Sequence, residues 1–156
     1  MQLRLALAPV LAAAALALGS CGQDPILYVD KGWVRLPAVM ENPGAAYFTV
    51  HGGLTDDTLI RVSSDVAIKT EMHDVVTENG VTKMVPIQSV PIPAKGKVEF
   101  KPGGKHVMLH DLRRNLKAGE TIRLDFTFAS GEQIYIDAPL QAAGAPAAGG
   151  EEHNAH

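Results

Sequence analysis

The chain is poor in several things at once. Its 156 residues contain one cysteine, 5% aromatic residues and no excess of basic over acidic side chains. A lone cysteine excludes an internal disulfide, a CxxC redox pair and a thiolate cluster. There is no G-x-S-x-G elbow, no HExxH and no glycine-rich phosphate loop, so the usual enzyme arrangements are missing and no catalytic activity is expected. No stretch sustains a 3.6-residue apolar period over helical length, although Leu112 to Leu116 has room for one turn. Arg4 is the only charged residue among the first twenty, so the remainder carries 13 Lys and Arg against 17 Asp and Glu. That balance argues against nucleic acid or an anionic membrane surface as the main partner.

What is present begins with a leader. Fifteen of the first twenty residues are hydrophobic, and Leu5 to Leu18 is an apolar run of 14. Such a run is short for a bilayer span and suits a secretory signal. It ends in Leu18-Gly19-Ser20-Cys21, which resembles a bacterial lipobox with Cys21 as the lipidated new N-terminus. An ordinary signal peptide with Cys21 as an incidental thiol is the other reading. Either way an exported, periplasmic protein is expected, in an oxidising compartment. The expected divisions are a signal peptide over 1–20, a tether over 21–26, one folded domain over 27–140, and an Ala/Gly tail over 141–156 with terminal histidines.

From Ile26 to Leu140 short alternating segments are separated by turn residues. Ile122, Leu124, Phe126 and Phe128 share one face, with Arg123, Asp125 and Thr127 on the other. Ala46, Phe48 and Val50 alternate likewise, as do Ile60 with Val62, Val98 with Phe100, and Ile134 with Ile136. Turns recur at Gly52-Gly53, Asn79-Gly80, Pro102-Gly103-Gly104 and Ser130-Gly131. Eight to ten such strands predict an all-β antiparallel sandwich.

The scarcity of cysteine contrasts with the placement of methionine. Asn79-Gly80 between alternating runs is a strong two-residue hairpin signal. It makes cross-strand numbers sum to 159, so Val75 faces Met84 and His73 faces Pro86. His73 and Val75 share a face, and Met84 becomes the diagonal neighbour of His73. Met72 points the other way, toward the core. Further on, Val107 and Leu109 take the core face of a strand, leaving His106, Met108 and His110 opposite. A methionine flanked by histidines there has no packing reason for its place. Thioether sulfur with neutral imidazole favours Cu(I) over Mg²⁺, Ca²⁺ or Zn²⁺.

The spacing His73, ten residues, Met84, twenty-one residues, His106-Val107-Met108 resembles the H-x10-M-x21-H-x-M pattern of the PCuAC family of periplasmic copper chaperones. Trp33-Val34-Arg35, Ala45-Ala46-Tyr47 and Lys101-Pro102-Gly103-Gly104-Lys105-His106-Val107-Met108-Leu109 are similar to the family too, over roughly residues 30 to 140. The resemblance implies a cupredoxin-like Greek-key sandwich binding Cu(I) through His73, Met84, His106 and Met108. It also implies delivery toward the CuA centre of cytochrome c oxidase, with subunit II or a Sco-like thiol copper protein as partner, by a monomer. Blue-copper electron transfer is excluded despite that fold, because such a site needs a cysteine thiolate. His110 stands where many members have Met, and His51 where Asn is frequent.

Taken singly, the same residues have ordinary places. His73 beside Asp74 fits a surface histidine, and Met84 fits a core filler. His110 fits either an auxiliary ligand or a solvated histidine, and Trp33 and Tyr47 read as core aromatics. His153 and His156 fit either Cu(II) capture by the tail or no role. Copper buffering without a dedicated client, and a metal-free adhesive or assembly lipoprotein, are the competing functions.

Overall fold

A computed structural model describes residues 22–147. The leader with Cys21, and the terminal stretch with His153 and His156, lie outside the described residues. The described chain forms ten strands: β1 (Tyr28–Arg35), β2 (Gly44–His51), β3 (Asp57–Ser63), β4 (Ala67–Glu78), β5 (Val81–Pro86), β6 (Val90–Ile92), β7 (Lys97–Phe100), β8 (His106–Leu112), β9 (Thr121–Phe128) and β10 (Gln133–Gln141). There is no helix among the described residues, and the segment after Leu112 runs through turns.

Hydrogen bonding follows one path, β5-β4-β8-β2-β1-β10-β9-β3-β6, with β7 also paired to β2. Laid flat, β2 and β9 would stand three strand spacings apart, about 14 Å. Instead Phe48 of β2 meets Phe126 of β9 edge to face, with centroids 4.7 Å apart. The path therefore folds over on itself into a sandwich. Every pairing is antiparallel except β1 with β10, a short parallel stretch at Val34↔Leu140 and Arg35↔Gln141 that joins the two layers.

The interior follows from alternation. Along β9, Ile122, Leu124, Phe126 and Phe128 are buried, and the residues between them are not. They pack with Val34, Ala46, Phe48, Val50, Leu59, Met72, Val107 and Leu109 in one cluster. Removing each large side chain from water contributes about 1.5–3 kcal/mol. One alternation expectation fails: Ile60 is exposed while Leu59 and Val62 are buried. The register against β9 shifts between Leu59 and Arg61, and an extra residue at such a bulge breaks the period of two.

The β4–β5 hairpin has the expected turn. Asn79 and Gly80 both take positive φ, +51° and +77°, the signature of a type I′ loop. Glu78 pairs with Val81, Val75 with Met84, and His73 with Pro86.

Candidate metal centre

The pleat of β4 sends Met72 inward, where it is 7% exposed, and so sends Glu71, His73 and Val75 to the outer face. Along β8 the fully buried Val107 and Leu109 are the inward residues. His106, Met108 and His110 therefore face outward. The tertiary fold then makes β4 and β8 neighbours, with His73 directly opposite His106 and Glu71 opposite Met108. The imidazole rings of His73 and His106 lie near parallel, centroids 5.8 Å apart. Met84, on the other flank of β4, is the diagonal neighbour of His73 across the hairpin. All four predicted residues are thus gathered on adjacent strands of one outer face.

Both histidines are oriented by the backbone. His106 Nδ1 lies 2.8 Å from the carbonyl oxygen of Gly104, and His73 Nδ1 lies 3.3 Å from that of Glu71. A carbonyl only accepts, so each Nδ1–H donates and each Nε2 keeps a free lone pair. Fixing the tautomer through the second ring nitrogen is how metal-binding imidazoles are commonly held. Met84 is 54% exposed, whereas His106 is 6% exposed. The set is buried on the His106 side and open to solvent on the Met84 side.

That burial has a cause which alternation along β8 does not reveal. Trp33 and Tyr47 are buried, but they do not belong to the interior cluster. Tyr47 alternates with the inward Ala46 and Phe48, so it shares the outer face. Its ring stands 6.5 Å from that of His106 and 4.5 Å from that of Trp33. The Arg35 guanidinium covers both aromatics, 4.9 Å from the Trp33 ring and 5.6 Å from the Tyr47 ring. A row of rings therefore crosses the sheet, from Trp33 through Tyr47 and His106 to His73. Burial raises the Tyr47 phenol above its ordinary pKa, against an opposing pull from Arg35. Reading the two aromatics as core residues is corrected to this outer row. The signal available in the sequence was the alternation of Tyr47 with its inward neighbours.

Charges flank the set in neutralised pairs. Lys105 donates to Asp74 at 2.7 Å, and this hydrogen bond holds the Asp74 carboxyl below its usual range against the opposing effect of burial. Lys69 Nζ lies 2.8 Å from Glu71 Oε1 and lowers the Glu71 pKa, chiefly through its hydrogen bond. His110 shares the outer face, with its Nε2 2.9 Å from Glu71 Oε2. His51 is remote from all of these. It stacks on Tyr28 at 4.1 Å and contacts Asp30 at 3.0 Å.

Among the described residues, no group of three or more His, Cys, Asp or Glu could hold a metal ion. A hard-donor centre of that size is absent there, and a soft centre must draw on the methionines. Two imidazoles and two thioethers, all neutral, can hold Cu(I) without water and without a residual negative charge.

Several solved structures share the fold. The copper-bound PCuAC domain from PmoF2 is 23% identical with a TM-score of 0.62, covering 74% of this chain and 92% of that one. The apo PCuAC domain from PmoF1 is 27% identical at 0.61, covering 74% and 93%. The solution structure of CuI-DR1885 from Deinococcus radiodurans is 26% identical at 0.58, covering 80% and 85%. The architecture is thus the cupredoxin-like sandwich of PCuAC domains. Among curated proteins, "Uncharacterized protein RP573" of Rickettsia prowazekii is 35% identical over 96 residues, 60% of this chain. The alignment spans about half of that relative, 52%. "Putative lipoprotein Lxx21020" of Leifsonia xyli subsp. xyli is 30% identical over 115 residues, 72% of this chain and 68% of the relative. A family model described as "Putative lipoprotein LpqE-like" matches residues 27–140, and the chain belongs to that family.

Proposed function

We propose that the protein is an exported Cu(I) metallochaperone, held at a membrane by a lipid on Cys21, with His73, Met84, His106 and Met108 as the copper ligands. The observation that carries this reading is the cross-strand pair of His73 and His106, each with Nδ1 committed to a backbone carbonyl and with Met84 and Met108 on the same face. The copper-bound PmoF2 domain and CuI-DR1885 lend support as proteins of the same fold. The lipoprotein description of the family supports the anchor. Four neutral protein donors leave no open position for a substrate, so the centre carries metal and catalyses nothing. The exposed Met84 side lets an acceptor's donors replace the chaperone's ligands one at a time. The client in this reading is the CuA centre of cytochrome c oxidase, reached through subunit II or a Sco-like thiol copper protein. The protein acts as a monomer in the periplasm.

Competition against a chromophoric Cu(I) chelator tests the ligand set. Cu(I) affinity is expected to fall at least a hundredfold in Met84→Ala/Met108→Ala, and unchanged affinity would sink the assignment. If no soft metal binds at all, a metal-free assembly or adhesive lipoprotein becomes the better account. Deleting the gene tests the client: loss of oxidase activity at low copper is expected.

One observation favours a second reading, copper buffering with help from the tail. Arg35 Nη2 contacts the carbonyl oxygen of Ala145 at 3.5 Å, so the chain beyond β10 passes the Arg35 end of the ring row that reaches His106. In this reading His153 and His156, further along the chain, supply imidazole donors suited to Cu(II). A buffer predicts lost survival at high copper with oxidase activity intact.

A further inference from the structure

We propose that Glu71 and His110 form a second metal position, for a divalent borderline cation such as Cu²⁺, beside the four-residue set. Both residues lie on the outer face, His110 opposite Lys69 and Glu71 opposite Met108 in the β4–β8 register. His110 Nε2 stands 2.9 Å from Glu71 Oε2. That nitrogen is buried and makes no hydrogen bond. The contact has the length of a polar pair without the alignment of one.

The spacing of an ordinary polar pair is also that of two donors sharing one metal ion. Nitrogen and oxygen donors bind Zn²⁺ or Cu²⁺ at about 2.0–2.2 Å, so two donors at adjacent corners of a square or octahedron stand about 2.9–3.0 Å apart. The Glu71–His110 separation of 2.9 Å matches that edge. Lys69 binds the other carboxylate oxygen, Oε1, at 2.8 Å, which orients Glu71 and leaves Oε2 for a cation. The Glu71 and His110 side chains are 34% and 30% exposed, although the His110 Nε2 atom itself is buried. Imidazole with carboxylate is a harder donor pair than imidazole with thioether and suits Cu²⁺. Met108 lies across from Glu71 and adjoins both positions, where a long axial thioether contact to Cu²⁺ is compatible with tetragonal geometry. The outer face would then hold the two oxidation states of copper at neighbouring places. Neither Glu71 nor His110 belongs to the Cu(I) set, so this position stands or falls separately from that reading.

The test uses the protein carrying His153→Ala and His156→Ala, which removes the tail imidazoles. Cu²⁺ alone is titrated and followed by electron paramagnetic resonance and by competition with a chelator of known affinity. His110→Ala and Glu71→Gln are each expected to weaken Cu²⁺ at least tenfold, while Cu(I) affinity moves less than threefold. His110→Gln, closer in size, gives the same result if His110→Ala disturbs the strand, with near-ultraviolet circular dichroism as the check on folding. Unchanged Cu²⁺ affinity in Glu71→Gln/His110→Gln would overturn the proposal. So would a parallel loss of Cu(I) and Cu²⁺, which would merge His110 into the first centre, or a loss of Cu²⁺ seen only on replacing His73.

Discussion

Met72 and Met108 occupy neighbouring strands and have opposite fates. Met72 points inward and packs in the interior cluster at 7% exposure. Met108 sits opposite Glu71 on the outer face, two residues from His106. Composition cannot tell the two apart; a single step along the pleat does. The contrast extends to the whole sheet. Its inner face is built from aliphatic and aromatic packing and sets stability. Its outer face, at β5, β4 and β8, gathers imidazole, thioether and carboxylate, and a row of buried rings keeps water from its His106 flank. Stability and chemistry are thus divided between two sides of one sheet.

The first way to break this comparison is from the inside. Phe126→Ala removes the ring that joins the layers and is expected to lower unfolding free energy by about 3–5 kcal/mol, with Met72→Ala at about 2–5 kcal/mol. Urea titration checks both, and each folded variant should keep its Cu(I) affinity within threefold. Inner-face variants that lose copper binding while still folded would blur the division. From the outside, Met108→Leu preserves volume and should change stability by less than about 1.5 kcal/mol. It should still weaken Cu(I) tenfold or more, measured by chelator competition.

A smaller effect is expected at the hairpin that positions Met84. Gly80 sits at φ +77°, so Gly80→Ala should cost about 1 kcal/mol by placing a Cβ in the left-handed region. Met84 should then be less well placed, and a two- to fivefold weaker Cu(I) affinity is the expected reading.

The smallest effect lies far from the centre, at Asp57. Burial raises its pKa, but hydrogen bonds from the Ser130 hydroxyl and from the Thr58 and Ser130 amides outweigh that and leave it lowered. A depressed carboxyl stabilises the fold fully above the unfolded Asp pKa of about 3.9, and the contribution fades as pH falls through the lower folded value. Asp57→Asn should therefore flatten the acid limb of the stability curve of the metal-free protein and leave Cu(I) affinity at neutral pH unchanged.

Local chemistry made part of this architecture legible. Asn79-Gly80 specified a turn with two positive φ angles and with it the whole β4–β5 register, because a two-residue loop leaves no freedom to slip. Alternation in Thr121–Phe128 identified a strand and its inward face, since burial on one side imposes a period of two. Alternation also placed His106 and Met108 together, and His73 with Met84. What it could not supply was the pairing of β4 with β8, a non-local contact with no nearby turn to announce it; that pairing brings His73 against His106. The bulge that turns Ile60 outward and the parallel β1–β10 junction were hidden for the same reason. Tyr47 and Trp33 were misplaced because bulk and aromaticity suggest the core, whereas they bury themselves on the outer face under Arg35. The grouping of the four residues on one face was partly visible, and its surroundings were not.

The central claim is that soft metal binding resides on the outer face in two imidazoles and two thioethers. X-ray absorption at the copper edge, on protein loaded with one equivalent of Cu(I), tests it most directly. The account predicts a first shell of two nitrogen and two sulfur donors, with one sulfur lost in Met108→Leu. A shell of nitrogen and oxygen alone, or sulfur scattering that survives Met84→Ala/Met108→Ala, would contradict it.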